Sequence, residues 1–208
     1  MTFDLASPSS AFLGFADPPR DSQVTFRALM DAMSRPAQPV PLTVACDMPP
    51  TLDPVVAAVG LTLLDETTPA WVDRRLIDQE SIDFLRHHAE VTLAEEPEEA
   101  AFVILGCGSD SADVLQRLSR GTRSEPETSA TAIVALTNGG EPLDYVAKGP
   151  GIENAVVLSL SSASRSLIDA AQLLNADFPL GIELILCIGE TLVGLPRTTR
   201  LTLCRTPS

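Results

Sequence analysis

The apolar positions of this chain fall into a small number of regular patterns. Phe26, Leu29, Met30 and Met33 recur at i, i+3, i+4 and i+7, which is typical of one face of an α-helix. We expect this helix to span residues 21–35, because the proline that follows has no amide hydrogen and cannot continue it. The helical period and the capping residues predict four more helices, over about 54–64, 78–88, 110–119 and 164–174.

Shorter apolar runs predict strands. Residues 101–105 form a continuous apolar run that is followed by Gly106-Cys107-Gly108 and then by a predicted helix, and this order of strand, loop and helix indicates an α/β fold. Asn138-Gly139-Gly140 between two apolar runs predicts a β-hairpin, since these residues tolerate the positive φ of a tight turn. The full set of predicted strands covers 69–73, 101–105, 131–137, 143–148, 182–188, 192–195 and 201–204.

The last three predicted strands lie close together, and Gly189-Glu190 marks a turn between the first two. We therefore expect an α/β fold with a mixed sheet flanked by helices and a C-terminal antiparallel meander. Residues 1–20 contain two proline-rich turns and are interpreted as an N-terminal arm. Residues 21–208 are interpreted as a single α/β domain, because their length suits one core.

Composition limits the function. The chain has 14 basic and 28 acidic residues and a net charge of −14, which disfavours binding to a nucleic-acid backbone. We expect no membrane span and a cytoplasmic protein, since no apolar stretch approaches the roughly 18 residues that a span requires. Hydrophobic residues make up 45% of the chain, so part of its surface is expected to be buried against another subunit. The four cysteines form no C-x-x-C pair and are expected to be buried free thiols.

The usual catalytic and cofactor motifs are incomplete. Gly106-Cys107-Gly108 resembles the start of a dinucleotide-binding loop, but position 111 is Ser where that motif has its third glycine, so a plain strand-to-helix turn is favoured. His87 and His88 are adjacent and would point about 100° apart on a helix, which disfavours one shared metal. Lys148 is the only lysine and has no recognisable phosphate cradle beside it. We expect no metal, no cofactor and no catalytic residue.

One segment carries a candidate anion site. Pro196 ends a predicted strand and directs Arg197 and Thr198 outward. A fixed guanidinium beside a hydroxyl suits a phosphate, a phosphonate or a carboxylate. The alternative is that Arg197 makes a structural ion pair or an interface contact.

Six short motifs, in this order, resemble a known family, the PhnH subunits of bacterial carbon-phosphorus lyase. The resemblance extends along nearly the whole chain. Two positions depart from the family pattern, because Glu183 stands where Asp is frequent and Ala37 where Gly is common. The motifs are Phe26-Arg27 with Met30, Ala32-Met33-Ser34-Arg35-Pro36, Thr68-Pro69-Ala70-Trp71, Gly149-Pro150-Gly151-Ile152, Phe178-Pro179-Leu180-Gly181-Ile182-Glu183 and Leu195-Pro196-Arg197-Thr198-Thr199.

The resemblance implies a function in phosphonate catabolism. It implies a non-catalytic subunit of the carbon-phosphorus lyase core, which supports transfer of an alkylphosphonate onto the ribose C1 of ATP with loss of adenine. The alternative is a phosphonate- or nucleotide-binding subunit that contributes active-site residues. Whether the chain has enzymatic activity of its own stays open. Arg27, Arg35, Arg197 and Thr198 are the candidate anion or interface residues.

The same resemblance implies a fold and a set of partners. The fold is expected to be similar to that of pyridoxal-phosphate-dependent transferases, without the cofactor. The isolated chain is expected to form a homodimer. In the assembled core its partners would be the G, I and J subunits, and it would act together with the L protein.

Overall fold

The computed structural model describes residues 11–204 except 76, 109, 137 and 138. The helices are α1 (Pro18–Ser34), α2 (Pro54–Leu63), α3 (Gln79–Ala89), α4 (Ser111–Arg117) and α5 (Arg165–Leu174). The strands are β1 (Gly14–Phe15), β2 (Val40–Pro41), β3 (Cys46–Asp47), β4 (Ala70–Val72), β5 (Phe102–Gly106), β6 (Thr131–Leu136), β7 (Pro142–Lys148), β8 (Val156–Ser161), β9 (Glu183–Ile188), β10 (Thr191–Leu195) and β11 (Arg200–Leu203).

A six-stranded mixed sheet forms the centre of the fold, with the strand order β2-β10-β9-β6-β5-β4. β4, β5, β6 and β9 are parallel, whereas β10 and β2 run antiparallel to their neighbours. A parallel sheet needs cover on both faces, and the helices supply it. This confirms the predicted α/β class with a mixed sheet flanked by helices.

The period of two along the central strands divides the core into two clusters. Ile104, Ile133 and Ile185 pack with α1, α2 and α3 on one face of the sheet. Val134 and Leu186 pack with α4 and α5 on the other face. Burying each of these side chains contributes about 1.5–3 kcal/mol, so the alternation fixes the register of the strands.

A second sheet covers part of the second cluster. Its three strands are antiparallel, in the order β11-β7-β8. Its inner face buries two side chains of β7 and two of β8 in this cluster. They are Tyr145, Ala147, Leu158 and Leu160. β8 was not among the predicted strands. The Ser161 hydroxyl at its end caps the turn that follows, because it accepts from the Ala163 amide at 3.2 Å.

The predicted hairpin around residues 138–140 is wrong. β6 and β7 belong to different sheets. β6 is apolar on both faces and takes a central place between β5 and β9, whereas β7 alternates between buried and exposed positions and suits a sheet covered on one face. Asn138, in the predicted turn, lies outside the described residues.

The predicted C-terminal meander is only partly correct. β9 and β10 form the expected hairpin through Gly189-Glu190, and Gly189 has the positive φ of 57° that its turn needs. β11 does not join them, because the chain turns after Pro196 and β11 pairs with β7. In that turn the Thr199 amide donates to the Pro196 carbonyl at 2.8 Å. β11 alternates between exposed and half-buried positions, which fits a sheet with one covered face.

α1 begins three residues earlier than predicted, because Asp17 caps it and two prolines fill its first positions. Its buried face also differs from the predicted apolar stripe. Leu29 is buried as expected, but the side chains of Phe26 and Met30 are exposed. The small residues of α1 face inward instead, since the helix approaches β10 so closely that a Cβ on Gly194 would lie 2.5 Å from the carbonyl oxygen of Ala32.

Part of the predicted N-terminal arm is structured. β1 lies within the segment interpreted as an arm, and it pairs with β3, whereas residues 1–10 lie outside the described residues.

The four cysteines are free, as expected, but the prediction that they are buried holds only for Cys187. Cys46 and Cys107 are half-buried, and Cys204 is exposed beyond the last strand. No helix within the described residues is long and apolar enough to cross a membrane.

Candidate functional site

Arg197 lies just beyond the end of β10 and, contrary to the predicted outward direction, its guanidinium points into the protein. Its Nε donates to Glu183 Oε1 at 2.7 Å, and its backbone amide donates to Glu183 Oε2 at 2.8 Å. Nη1 donates to the carbonyl oxygens of Pro126 and Pro179 at 2.8 and 3.0 Å, and Nη2 donates to the Ser129 hydroxyl at 2.6 Å. Only 14% of the Arg197 side chain is exposed. This geometry joins four segments of the chain and leaves little of the guanidinium for a ligand.

Several motifs that were distant in the sequence meet near this arginine. The loop Gly149-Pro150-Gly151 fits between the turn that carries Thr198 and the end of α1. A Cβ on Gly149 would lie 2.8 Å from the Thr198 carbonyl oxygen, and a Cβ on Gly151 would lie 2.8 Å from the Ser34 carbonyl oxygen. Both glycines have positive φ, so other residues would be strained there. The motifs therefore serve close backbone packing.

The other candidate residues are on the surface. Arg27 is exposed on α1, beside the exposed side chains of Phe26 and Met30. Arg35 caps the end of α1 and makes an exposed ion pair with Asp31 at 2.8 Å. Thr198 is half-buried in the turn after β10. The structure thus brings Thr198 and Arg197 together in one turn, and it places Arg27 and Arg35 on α1.

The remaining chemical candidates show no sign of a catalytic role among the described residues. His88 Nε2 lies 2.8 Å from the Phe12 carbonyl oxygen, and its ring packs on Phe84 at 4.8 Å between centroids. Lys148 is exposed at the end of β7. The Ser111 hydroxyl donates to the Gly106 carbonyl and accepts from the Gly108 amide, both at 2.7 Å, which fits the interpretation of this loop as a strand-to-helix turn. Within the described part of the chain, no three His, Cys, Asp or Glu side chains are grouped so as to hold a metal.

A polar site that the sequence interpretation missed lies at the carboxyl end of β4. Asp73 follows this strand and is almost fully buried, with 2% of its side chain exposed. Arg75 holds its carboxylate through Nε at 2.9 Å and Nη2 at 2.8 Å. These bonds keep the pKa of Asp73 below its ordinary value despite the burial that raises it, and they raise the pKa of Arg75. Arg75 also reaches Asp110, at the start of α4, through Nη1 at 2.5 Å.

A cavity of about 600 Å³ opens beside this network. Three arginines line it, Arg74 and Arg75 from the turn after β4 and Arg86 from α3. Its other lining residues are Trp71, Val72, Asp73, Leu93, Ala94 and Glu95. Carboxyl ends of parallel strands are the usual place for ligands in open α/β sheets. The sequence signal for this site was therefore Asp73-Arg74-Arg75, which begins at the last residue of a predicted strand.

A second cavity, of about 360 Å³, lies at the carboxyl ends of β5 and β6. It is lined mainly by apolar side chains and by the start of α2, where Asp53 accepts from the amides of Val55 and Val56. The Asp53 carboxylate is occupied by this capping role. This cavity therefore has fewer polar groups for a ligand than the cavity beside β4.

Comparison with known proteins gives concordant matches. The sequence model of the family described as "Bacterial phosphonate metabolism protein (PhnH)" matches residues 13–202. The chain is 32% identical over 189 residues to the alpha-D-ribose 1-methylphosphonate 5-triphosphate synthase subunit PhnH of Rhizobium meliloti (strain 1021), covering 90% of this chain and 93% of that protein. It is also 32% identical over 198 residues to the putative C-P lyase subunit protein HtxG of Stutzerimonas stutzeri, covering 95% of this chain and 94% of that protein.

Proposed function

Since this chain belongs to the PhnH family of bacterial phosphonate metabolism proteins, we propose that it is a non-catalytic subunit of the carbon-phosphorus lyase core. In this role it supports transfer of an alkylphosphonate onto the ribose C1 of ATP with loss of adenine. The observation that carries the proposal is the match to two relatives, each named as a subunit, along at least 90% of this chain.

The contacts of Arg197 support a role in architecture. A residue that bound substrate would keep hydrogen-bond donors directed at an open site, whereas this guanidinium donates to a carboxylate, two carbonyls and a hydroxyl of its own chain. The same contacts order the turn that carries Thr198. We therefore assign both residues to the framework of the subunit.

The exposed face of α1 supports a role in assembly. Phe26 is 50% exposed and Met30 is 56% exposed, and Arg27 lies beside them. Aromatic residues, methionine and arginine are enriched at protein interfaces, and arginine is also enriched at interface hot spots. We propose that this face, defined by Phe26, Arg27 and Met30, contacts another subunit of the core.

The finer assignments are part of the same proposal. We propose that the G, I and J subunits are the direct partners, that the L protein acts with them, and that the isolated chain is a homodimer. We also propose a cytoplasmic location and a fold similar to that of pyridoxal-phosphate-dependent transferases without the cofactor. The mixed sheet with helices on both faces is compatible with that fold.

Co-purification tests the proposal. A tagged copy of the full chain is co-expressed with the other core subunits, and the captured proteins are separated by size-exclusion chromatography. The wild-type chain should elute with its partners. The double variant Phe26→Ser with Met30→Ser should lose at least about tenfold in association, because truncating an interface hot spot costs roughly 2 kcal/mol or more. Elution of the wild-type chain apart from every other subunit would refute the proposal.

Leu173→Ser is the matched control for this experiment. Leu173 is 72% exposed on α5, so its substitution removes a similar apolar surface from another helix. It should leave the complex intact. Equal losses in the control and the double variant would mean that the α1 face is not the contact.

A binding role is the second candidate function. Arg35, Arg197 and Thr198 were its candidates from the sequence, but the contacts of Arg197 and the ion pair of Arg35 do not favour it there. The observation that favours a binding role is the cavity beside β4, with its three arginines.

A further inference from the structure

An exposed aromatic side chain stands on the turn before β9. Phe178 is 61% exposed there, and the half-buried Arg120 lies on the neighbouring loop. We propose that these two residues form a docking patch for a segment of another core subunit. In this contact an apolar side chain of the partner covers Phe178, and an Asp or Glu carboxylate of the partner pairs with Arg120. The contact rests on the proposed function, and it is formed by other elements than the α1 face.

The turn that carries Phe178 is held in place by hydrogen bonds. Arg197 Nη1 donates to the Pro179 carbonyl at 3.0 Å, and the Leu180 amide donates to the Asp177 carbonyl at 3.0 Å. An anchor on a fixed backbone loses less entropy when a partner covers it. Aromatic residues are also enriched at protein interfaces. Phe178 therefore has both the position and the chemistry of an interface anchor.

The loop that carries Arg120 is tied to this turn on both sides of Phe178. On one side, Arg123 Nη2 donates to the two carboxylate oxygens of Asp177 at 3.0 and 3.1 Å. On the other side, the Gly181 amide donates to the Arg120 carbonyl at 3.0 Å. These bonds place Arg120 and Phe178 on adjacent segments, so that one partner segment can contact both.

Arg120 has no counterion within the described residues. No hydrogen bond or ion pair joins its guanidinium to any residue that the structure describes, and its Nε is shielded from solvent as well. Buried donors in native proteins nearly always have an acceptor. A half-buried arginine without one is therefore a group that a partner can complete.

The nearby carboxylates do not supply this acceptor. Asp177 pairs with Arg123, and Glu183 pairs with Arg197. Two exposed acids of the Arg120 loop form no ion pair with Arg120 in the part of the chain that the structure describes. They are Glu125 and Glu127. The acceptor must come from outside this surface.

The combination of a cation and an aromatic ring selects the kind of partner. A guanidinium can bind a carboxylate through two parallel hydrogen bonds. A small anion would pair with Arg120 but leave Phe178 exposed. A second copy is disfavoured, because a two-fold contact brings the same patch of both chains together and would place two unpaired arginines in one interface. The fitting occupant is a segment of a different polypeptide that carries an acid beside an apolar residue.

Co-purification of the full chain with the co-expressed core subunits is the first test. The double variant Arg120→Gln with Phe178→Ser should weaken association by at least about tenfold, as expected for truncated interface hot spots. Its melting temperature should stay the same or rise, because Arg120 has no side-chain partner within the described part of the isolated chain. Leu13→Ser removes an apolar side chain that is 81% exposed elsewhere, and it should leave association unchanged.

Carbodiimide cross-linking of the complex tests the acidic partner directly, since this reagent joins a lysine amine to a carboxylate in contact with it. The wild-type chain has one lysine, Lys148, so an Arg120→Lys variant adds one defined amine. Peptide mapping should find residue 120 joined to an Asp or Glu of another core subunit. Arg86→Lys, on α3, is the control and should not link to that carboxylate.

The results that would overturn the docking patch differ from those that would overturn the assembly role. Intact co-purification of the double variant would overturn the patch alone. So would a cross-link from residue 120 to a second copy or to its own chain, or no cross-link at residue 120 in a complex that retains the Arg120→Lys variant. Elution of the wild-type chain apart from every other subunit would overturn both.

Discussion

Replacement of Arg197 by methionine should destabilise the isolated chain strongly. Methionine keeps the apolar stem and removes the guanidinium, so Glu183 loses its ion pair and two carbonyls and one hydroxyl lose their donor. The two charged side chains are only 14% and 21% exposed, so solvent compensates little. Breaking a buried pair by removing one partner costs about 3–5 kcal/mol. Because both side chains keep some exposure, the free energy of unfolding should fall by about 3 kcal/mol.

Urea unfolding followed by circular dichroism measures this loss of free energy. In a thermal melt of the same variant, the melting temperature should fall by about 6–12 °C for a chain of this size. Arg27→Met is the control, because Arg27 is exposed on α1, and its substitution should change the free energy of unfolding by no more than about 0.5 kcal/mol. A double-mutant cycle with Glu183→Gln should give a coupling energy of about 1–3 kcal/mol. If Arg197→Met were as stable as the wild type, the architectural role of this arginine would be refuted.

Three further predictions concern single sites. Gly194→Ala should destabilise the chain by about 1–3 kcal/mol in urea unfolding, because the new Cβ would lie 2.5 Å from an α1 carbonyl oxygen, whereas Gly108→Ala, with its nearest neighbour at 3.8 Å, should be close to neutral. NMR titration should give Asp65 a pKa of about 2, because hydroxyls and amides of two threonines donate to its carboxylate. The stability that these bonds add is present above the ordinary pKa of 3.8 and is lost as the pH falls through about 2. A folded-state pKa near 3.8 would contradict the geometry. Iodoacetamide at pH 8 should label the exposed Cys204 before Cys187, since complete burial raises the pKa of the Cys187 thiol well above its ordinary value; the reverse order in a peptide map would contradict the burial.

Local sequence signals predicted most helices and central strands correctly. Helical period, capping aspartates and early prolines located α2 and α3, and the continuous apolar runs located β5, β6 and β9. The partners of the strands could not be predicted, because an apolar run carries no information about which strand lies beside it. β7 and β11 were therefore placed in the wrong pairs, although both were recognised as strands.

The buried face of α1 shows a second limit. Apolar residues at helical spacing predicted that Phe26 and Met30 face the core. The helix instead packs on Ala28 and Ala32, since the close approach to Gly194 allows only small side chains there. Hydrophobicity alone does not separate a core face from a surface that is kept apolar for a partner.

The sequence predicts the Arg197 site better than the cavity beside β4. The proline before Arg197 marks the end of a strand, so the sequence indicates a fixed arginine that either binds an anion or makes a structural contact. The acceptors that surround it come from segments up to 71 residues away, which no local pattern reveals. The cavity beside β4 was missed because Asp73-Arg74-Arg75 has no motif spacing, and Arg86 joins it only through the packing of α3.

We propose that this chain works as a subunit of a phosphonate-processing complex. Co-expression of the tagged chain with the other core subunits, followed by size-exclusion chromatography coupled to light scattering, tests this role. We expect one peak that contains this chain together with the G, I and J subunits. A peak that contains this chain alone, while the other subunits elute together without it, would refute the role.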